Sequence, residues 1–203
     1  MSLLERVQSI LLRPRQTWPV IAAEPADAAS IYSRYVVILA AIPAICAFIG
    51  WTLVGGGAFG VTYRLPIATG LAQLVVGYLL SLAMIYVLAV IVDALAPTFG
   101  GTKDFVASLK LVAYSYTAAW LSGVFLLLGT LGYLLTLVAT IYAFYTFGLG
   151  APVLGKSSSE KALPFTLVVV LCAIVLAFLT SFVFSGMTTM APRMNSGASL
   201  LLR

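Results

Sequence analysis

Asp93, Lys110 and Tyr114 are the residues of this chain whose types and spacing point to chemistry. Asp93 and Lys110 fall inside apolar stretches, where an ionised side chain is expensive unless it meets a partner or a water-filled cavity. Asp93 lies about three residues before the end of one stretch, and Lys110 about five residues into the next. At about 1.5 Å per residue their depths differ by only roughly 3 Å. A short turn joins the two helices, so the sequence brings Asp93 and Lys110 within reach of each other. Tyr114 is one helical turn beyond Lys110 on the same face and extends the polar strip inward. Ser115, Tyr116 and Thr117 add hydroxyls on neighbouring faces. Arg34 enters the first apolar stretch at similar depth and competes for Asp93. This cluster reads either as a substrate, proton or headgroup site at the mouth of a helix bundle, or as a charge pair pinning two helices while Lys110 snorkels to the interface. Both charges sit near a membrane boundary rather than its centre, which favours the brace.

Other chemistries lack their parts. The chain has no histidine, which removes His-based triads and the usual zinc ligand sets. No glycine loop ends in Lys-Ser/Thr; Gly55-Gly56-Gly57 stands without those partners. No paired carboxylates occur within one apolar stretch. Ser115 and Lys110 are five apart and do not stack on one helical face. Cys46 and Cys172 both sit deep in apolar sequence and read as small core residues. The expectation is a non-enzymatic protein with no cofactor and no metal.

The elements that position these residues follow from composition. Of 203 residues, 62% are hydrophobic and 8% charged, against about 25% charged in soluble domains; mean hydropathy is +1.11. This predicts an all-α integral membrane protein. A membrane-crossing helix needs about 20 apolar residues, and five stretches qualify: 34–54, 71–96, 105–129, 131–154 and 164–186. Breakers separate them: Gly55-Gly56-Gly57, Pro97 to Gly101, Gly129 with Gly132, and Gly155 to Ser159. The near absence of a gap at 130 predicts a tight hairpin between the third and fourth stretches.

Eight of the eleven basic residues (Arg6, Arg13, Arg15, Arg34, Lys103, Lys110, Lys156 and Lys161) fall on one side of that topology, against Arg64, Arg193 and Arg203 on the other. Positive charge marks the cytoplasmic side, which puts the amino terminus inside and the carboxyl terminus outside. The first stretch is too long, and too far from the start, for a cleaved signal peptide. The net charge of +5 lies beside membrane segments, so anionic headgroups of the lipid bilayer, not nucleic acid, are the expected counter-charge.

Residues 1–33 form a distinct arm. Leu3, Leu4, Val7, Ile10 and Leu11 recur at helical spacing, Ser2 and Glu5 make a capping box, and Pro14 ends the pattern. The arm is either an amphipathic interfacial helix on the inner membrane surface or a helix packed on the protein's own bundle. Trp18 reads as an interfacial anchor. Pro43 predicts a mid-membrane kink in the first stretch. Gly77 and Ser81 form a small-xxx-small contact suited to packing or to a homo-oligomer. In the fourth stretch, Tyr142 and Tyr145 share a face, Gly148 and Gly150 allow close helix contact, and Pro152 kinks or ends the helix. Residues 187–203 read as a flexible outer-side tail.

Three runs carry a family resemblance: Arg13-Pro14-Arg15-Gln16-Thr17-Trp18-Pro19 through Pro25; Asp93-Ala94-Leu95-Ala96-Pro97-Thr98-Phe99-Gly100-Gly101-Thr102-Lys103; and Lys110 to Thr117. With the stretch Tyr142 to Lys156, which contains Tyr145, Gly150 and Pro152, they resemble the bacterial branch of the Yip family, up to about residue 186. The chain departs from the family pattern at Ala118, where proline is common, and at Gly148, where tyrosine is frequent. The resemblance implies a five-helix membrane domain with a cytoplasmic amino terminus. It transfers no activity, because the eukaryotic members bind small GTPases and act in vesicle traffic, a system that bacteria lack. The reading is therefore membrane organisation, or binding of lipid or a membrane-protein partner. The alternative is a small transporter or channel built on the cytoplasmic-side polar cluster.

Overall fold

The computed structural model describes the backbone of residues 2–58, 61–128 and 130–200, and the side chains of 2–55, 64–128 and 131–182. The expected tail, 187–203, and Gly129 lie outside the residues whose side chains are described.

Among the described residues the regular structure is helical, apart from two three-residue antiparallel strands, Gly56–Ala58 and Val61–Tyr63. Among the described residues, five helices are long and apolar enough to cross a membrane: Ala28–Val54, Ile67–Phe99, Phe105–Leu128, Leu131–Val153 and Ser159–Phe182. We refer to them as spans one to five. Spans two, one and five begin earlier than the apolar runs suggest, because capping and turn residues set helix ends. Asp27 caps span one by accepting from the Ser30 N–H at 2.7 Å. Likewise Asp104 caps span three by accepting from the Ala107 N–H at 3.1 Å. Spans two and four stop where Gly100 (φ 79°) and Gly155 (φ 67°) adopt the left-handed conformation that other residues enter only with strain.

Pro43 lies inside span one, whose ends relax into wider π turns at Tyr32–Val36 and Ile49–Val54. Gly123 of span three presses on this point: a β-carbon there would lie 2.5 Å from the Pro43 Cα. Span three is interrupted at Tyr116 although Ala118 stands in place of a proline. Hydroxyls do the work instead. Thr117 Oγ1 donates back to the Tyr114 carbonyl at 2.6 Å, and Ser122 Oγ donates to that of Ala119 at 2.8 Å, and the helix tightens to a 3-10 form over Ser122–Leu128. Spans three and four make the expected close hairpin, Gly132 lying against the backbone of Phe125.

The arm contains two helices, not one. Helix α1, Leu3–Leu12, carries the capping box foreseen at Ser2 and Glu5. Pro14 ends it and at the same time opens α2, Pro14–Ala23, where a first-turn proline loses nothing because that N–H has no helical partner. Both helices pack on one end of the bundle through Val7, Ile10, Trp18 and Ile21, all buried. We call this end the arm side; the turns 100–104 and 154–158 lie there too.

Candidate functional site

The four residues singled out by sequence do not form one cluster. Asp93 belongs to one polar site on the arm side, Lys110 and Tyr114 belong to a second, and Arg34 belongs to neither; Asp93 and Lys110 each meet a partner other than the one expected.

The first site is a clasp between two turns. Asp93 Oδ1 accepts from the Asp104 N–H at 2.8 Å, from Ser108 Oγ at 3.1 Å and from Lys156 Nζ at 3.4 Å. Lys156 is 0% exposed. Its ammonium has three protons and meets three oxygens, those of Asp93, the Thr102 carbonyl and the Asp104 carbonyl, the latter two at 2.8 Å. The two turns are also joined through their backbones. Thr102 N–H donates to Gly155 O at 2.9 Å, and Ser158 N–H donates to Phe99 O at 3.0 Å. Gly101 makes the contact possible, since a β-carbon there would lie 2.3 Å from the Lys156 carbonyl. Burial pulls the Lys156 amine below its ordinary value of 10.5, opposed by the negative charge of Asp93.

The second site holds the arm. Lys110 Nζ donates to the backbone carbonyls of Ile21, at 3.0 Å, and of Glu24. These oxygens lie at the end of α2, where carbonyls lack helical partners and a cation is favoured. Arg6 pairs with the Glu24 carboxylate and places its guanidinium 5.6 Å from the centre of the Tyr114 ring. Its Nη1 is buried without a hydrogen-bond partner among the described residues. The hydrogen bond from Arg6 holds the Glu24 carboxyl below its ordinary value of 4.5. Tyr114 meets Tyr35 edge-on at 4.6 Å, and the Tyr35 hydroxyl and Thr117 Oγ1 lie 2.6 Å apart.

The expected Asp93–Lys110 pair is thus replaced by Asp93–Lys156 and by Lys110 on the arm. Lys110 stays inside, bound by carbonyls, and does not snorkel. Arg34 is exposed and makes no ion pair among the described residues, so it does not compete for Asp93. Trp18 is not an interfacial anchor. It is 0% exposed, donates its indole N–H to the Thr146 carbonyl at 3.0 Å, and lies flat on Gly150. Tyr142 reaches the arm from the other direction, donating to Leu11 O at 2.6 Å, with the Tyr145 ring 5.8 Å away.

The motif residues Pro97, Gly100, Gly101, Gly150 and Pro152 therefore shape the clasp and the arm seat. Sequence reading missed Lys156 and Arg6 as site residues. Two successive glycines at 100 and 101, matched by Gly155 beside Lys156, were the signal for turns that touch.

Chemically the two sites are braces. Asp93, Lys156 and Lys110 are each held by fixed partners from neighbouring elements, and Ser108, the hydroxyl beside the Asp93 carboxylate, is itself buried. A cavity of about 580 Å³ lies elsewhere, between spans one and two, and its lining includes none of Asp93, Lys110, Tyr114 or Lys156. Among the described residues, no group of three His, Cys, Asp or Glu side chains is placed to hold a metal.

The sequence model of the Yip1 domain matches residues 9–186. The inner membrane protein YohC of Escherichia coli strain K12 is 32% identical over 167 residues, covering 80% of this chain and 85% of that protein. The protein of the same name from the E. coli O6:H1 strain gives the same values. No solved structure matches the chain.

Proposed function

Because the chain belongs to the Yip1 domain family, we propose that it is a non-catalytic inner-membrane scaffold whose arm holds a fixed position against the anionic headgroups of the cytoplasmic leaflet. The observation that carries this reading is the outward face of the arm. While Val7, Ile10, Trp18 and Ile21 seat it on the bundle, Leu4 (71% exposed) and Leu12 (79% exposed) point away, with Arg13 and Arg15 exposed beside them. Apolar side chains next to guanidinium groups match a membrane surface: leucine enters the acyl boundary and arginine meets phosphate. The excess of basic residues on the arm side supports a cytoplasmic position for it. The name of the E. coli relative supports the inner membrane.

The rigidity of the arm supports a scaffold over a carrier. Lys110, Arg6 and Trp18 tie α1 and α2 down at three points, so the headgroup-facing side chains stand at a set height and angle. A transport role built on Asp93, Lys110 and Tyr114 finds no support, since the cavity does not reach them.

Amide exchange of residues 3–12 in lipid nanodiscs tests the proposal. Phosphatidylglycerol discs should protect these amides more than phosphatidylcholine discs. The Arg13→Gln/Arg15→Gln variant should remove the difference. Equal protection in both lipids for the unaltered chain would overturn the headgroup contact.

A further inference from the structure

The cavity between spans one and two has no role in the reading above. It runs along span one from Ala40 to Trp51 and is bounded across the groove by Leu65, Gln73 and Gly77 on the span-two side. Eleven residues of helix rise about 16 Å, close to half of a hydrocarbon core of about 30 Å. The groove therefore has the length of one leaflet. It opens along one side and lies toward the end of the bundle opposite the arm.

Its lining is almost wholly apolar, with one amide. The Gln73 side-chain amide makes no hydrogen bond among the described residues, although an amide facing hydrocarbon needs a partner. Span two has 33 residues and rises about 50 Å, so a centred helix leaves roughly 10 Å in each headgroup layer. Gln73, about 9 Å from the start of the span, sits at that boundary, at the depth of lipid ester groups. Leu65 forms the rim, its N–H donating to the Trp51 carbonyl at 3.0 Å. The adjacent Arg64 is exposed, and it is the one charged side chain among the described residues at this end.

We infer that this groove binds one glycerophospholipid of the leaflet opposite the arm, its acyl chain lying between spans one and two. The Gln73 amide donates to the ester carbonyl, and the Arg64 guanidinium meets the phosphate. The apolar length, the unpartnered amide and the single cation fall in the order in which a phospholipid presents its chain, ester and phosphate. A volume of about 580 Å³ suits a chain-like ligand, whereas a second copy would bring a helix about 10 Å across. The site is separate from the headgroup contact of the arm.

Gly77 supplies the test, because a β-carbon added there meets open space and the larger side chain grows into the groove. The full chain, extracted in mild detergent from membranes containing phosphatidylglycerol and phosphatidylethanolamine, is weighed intact by native mass spectrometry. The unaltered chain should retain one phospholipid; Gly77→Leu should lose it while keeping its melting temperature. Gln73→Leu should weaken retention, and it decides the matter alone should Gly77→Leu not fold. Arg13→Gln/Arg15→Gln should retain the lipid, which separates this site from the arm. Undiminished retention in Gly77→Leu or Gln73→Leu, loss in the arm variant, or a lipid-free dimer of the unaltered chain would each overturn the assignment.

Discussion

Lys156 reaches Asp93 at 3.4 Å across the join between two turns, and it does so with its ammonium sealed from solvent. The pair is not a free-standing ion pair. The carboxylate accepts from a backbone N–H and a serine, and the ammonium is completed by two carbonyls. Such a site is costly to half-dismantle, because the Lys156 ammonium is fully buried and every oxygen around it depends on it for a donor or a counter-charge.

Lys156→Met should therefore destabilise the protein by about 2–4 kcal/mol, since Asp93 loses its counter-charge and the Thr102 and Asp104 carbonyls lose their donor. Asp93→Asn keeps an oxygen for the Asp104 N–H and should cost about 1–2 kcal/mol. Thermal unfolding in detergent would rank them. A larger loss in Asp93→Asn would place the weight on the carboxylate rather than on the ammonium.

No hydrogen bond among the described residues joins Lys110 to the clasp, which reaches it only through the charge of Asp104, so their perturbations should nearly add. Lys110→Met leaves the Ile21 and Glu24 carbonyls unpaired and should loosen the arm without opening the turns. The Lys110→Met/Lys156→Met double variant should lose the sum of the single losses within about 0.5 kcal/mol. A strong departure from additivity would restore a direct link between the two sites.

Acidification should release one tie of the arm. The Glu24 carboxyl titrates below 4.5 because Arg6 donates to it. Its contribution is present above 4.5 and is lost as pH falls through the lower value of the docked state. Glu24 is partly exposed, so the effect should stay under about 1 kcal/mol. Melting temperatures of the unaltered chain and of Glu24→Gln should differ at pH 7 and converge in acid; a constant gap would exclude the carboxylate as the cause.

Glycine positions should divide sharply. Gly101→Ala drives a β-carbon into the Lys156 backbone and Gly150→Ala into the Trp18 ring, so both should lower stability. Gly77→Ala meets nothing and should gain about 0.5–1 kcal/mol from helix propensity. A thermal series of the three variants checks the order.

The apolar runs and their breakers made the five spans legible, and Ser2 with Glu5 made the start of α1 legible. Both signals are local: length and hydropathy in one case, a three-residue spacing in the other. Asp93 and Lys110 were rightly placed near one end of the bundle, but depth alone does not select a partner. Asp93 finds Lys156 through a turn 63 positions away, and Lys110 finds carbonyls, which every residue carries and no sequence pattern marks. Trp18 has the composition of an interfacial residue. Only the bare backbone of Gly150, 132 positions later, turns it into a buried one.

The clasp also sets an order of assembly. When Asp93 has been inserted, Lys156 has yet to be made. At about 5–20 residues per second, the 63 positions mean that the carboxylate waits roughly 3–13 s for its ammonium. During that interval the first two spans and their turn stand at the membrane edge with a charge unanswered. Closure of the bundle on the arm side is thus a late event in biogenesis, timed by the emergence of the turn that follows the fourth span and carries Lys156.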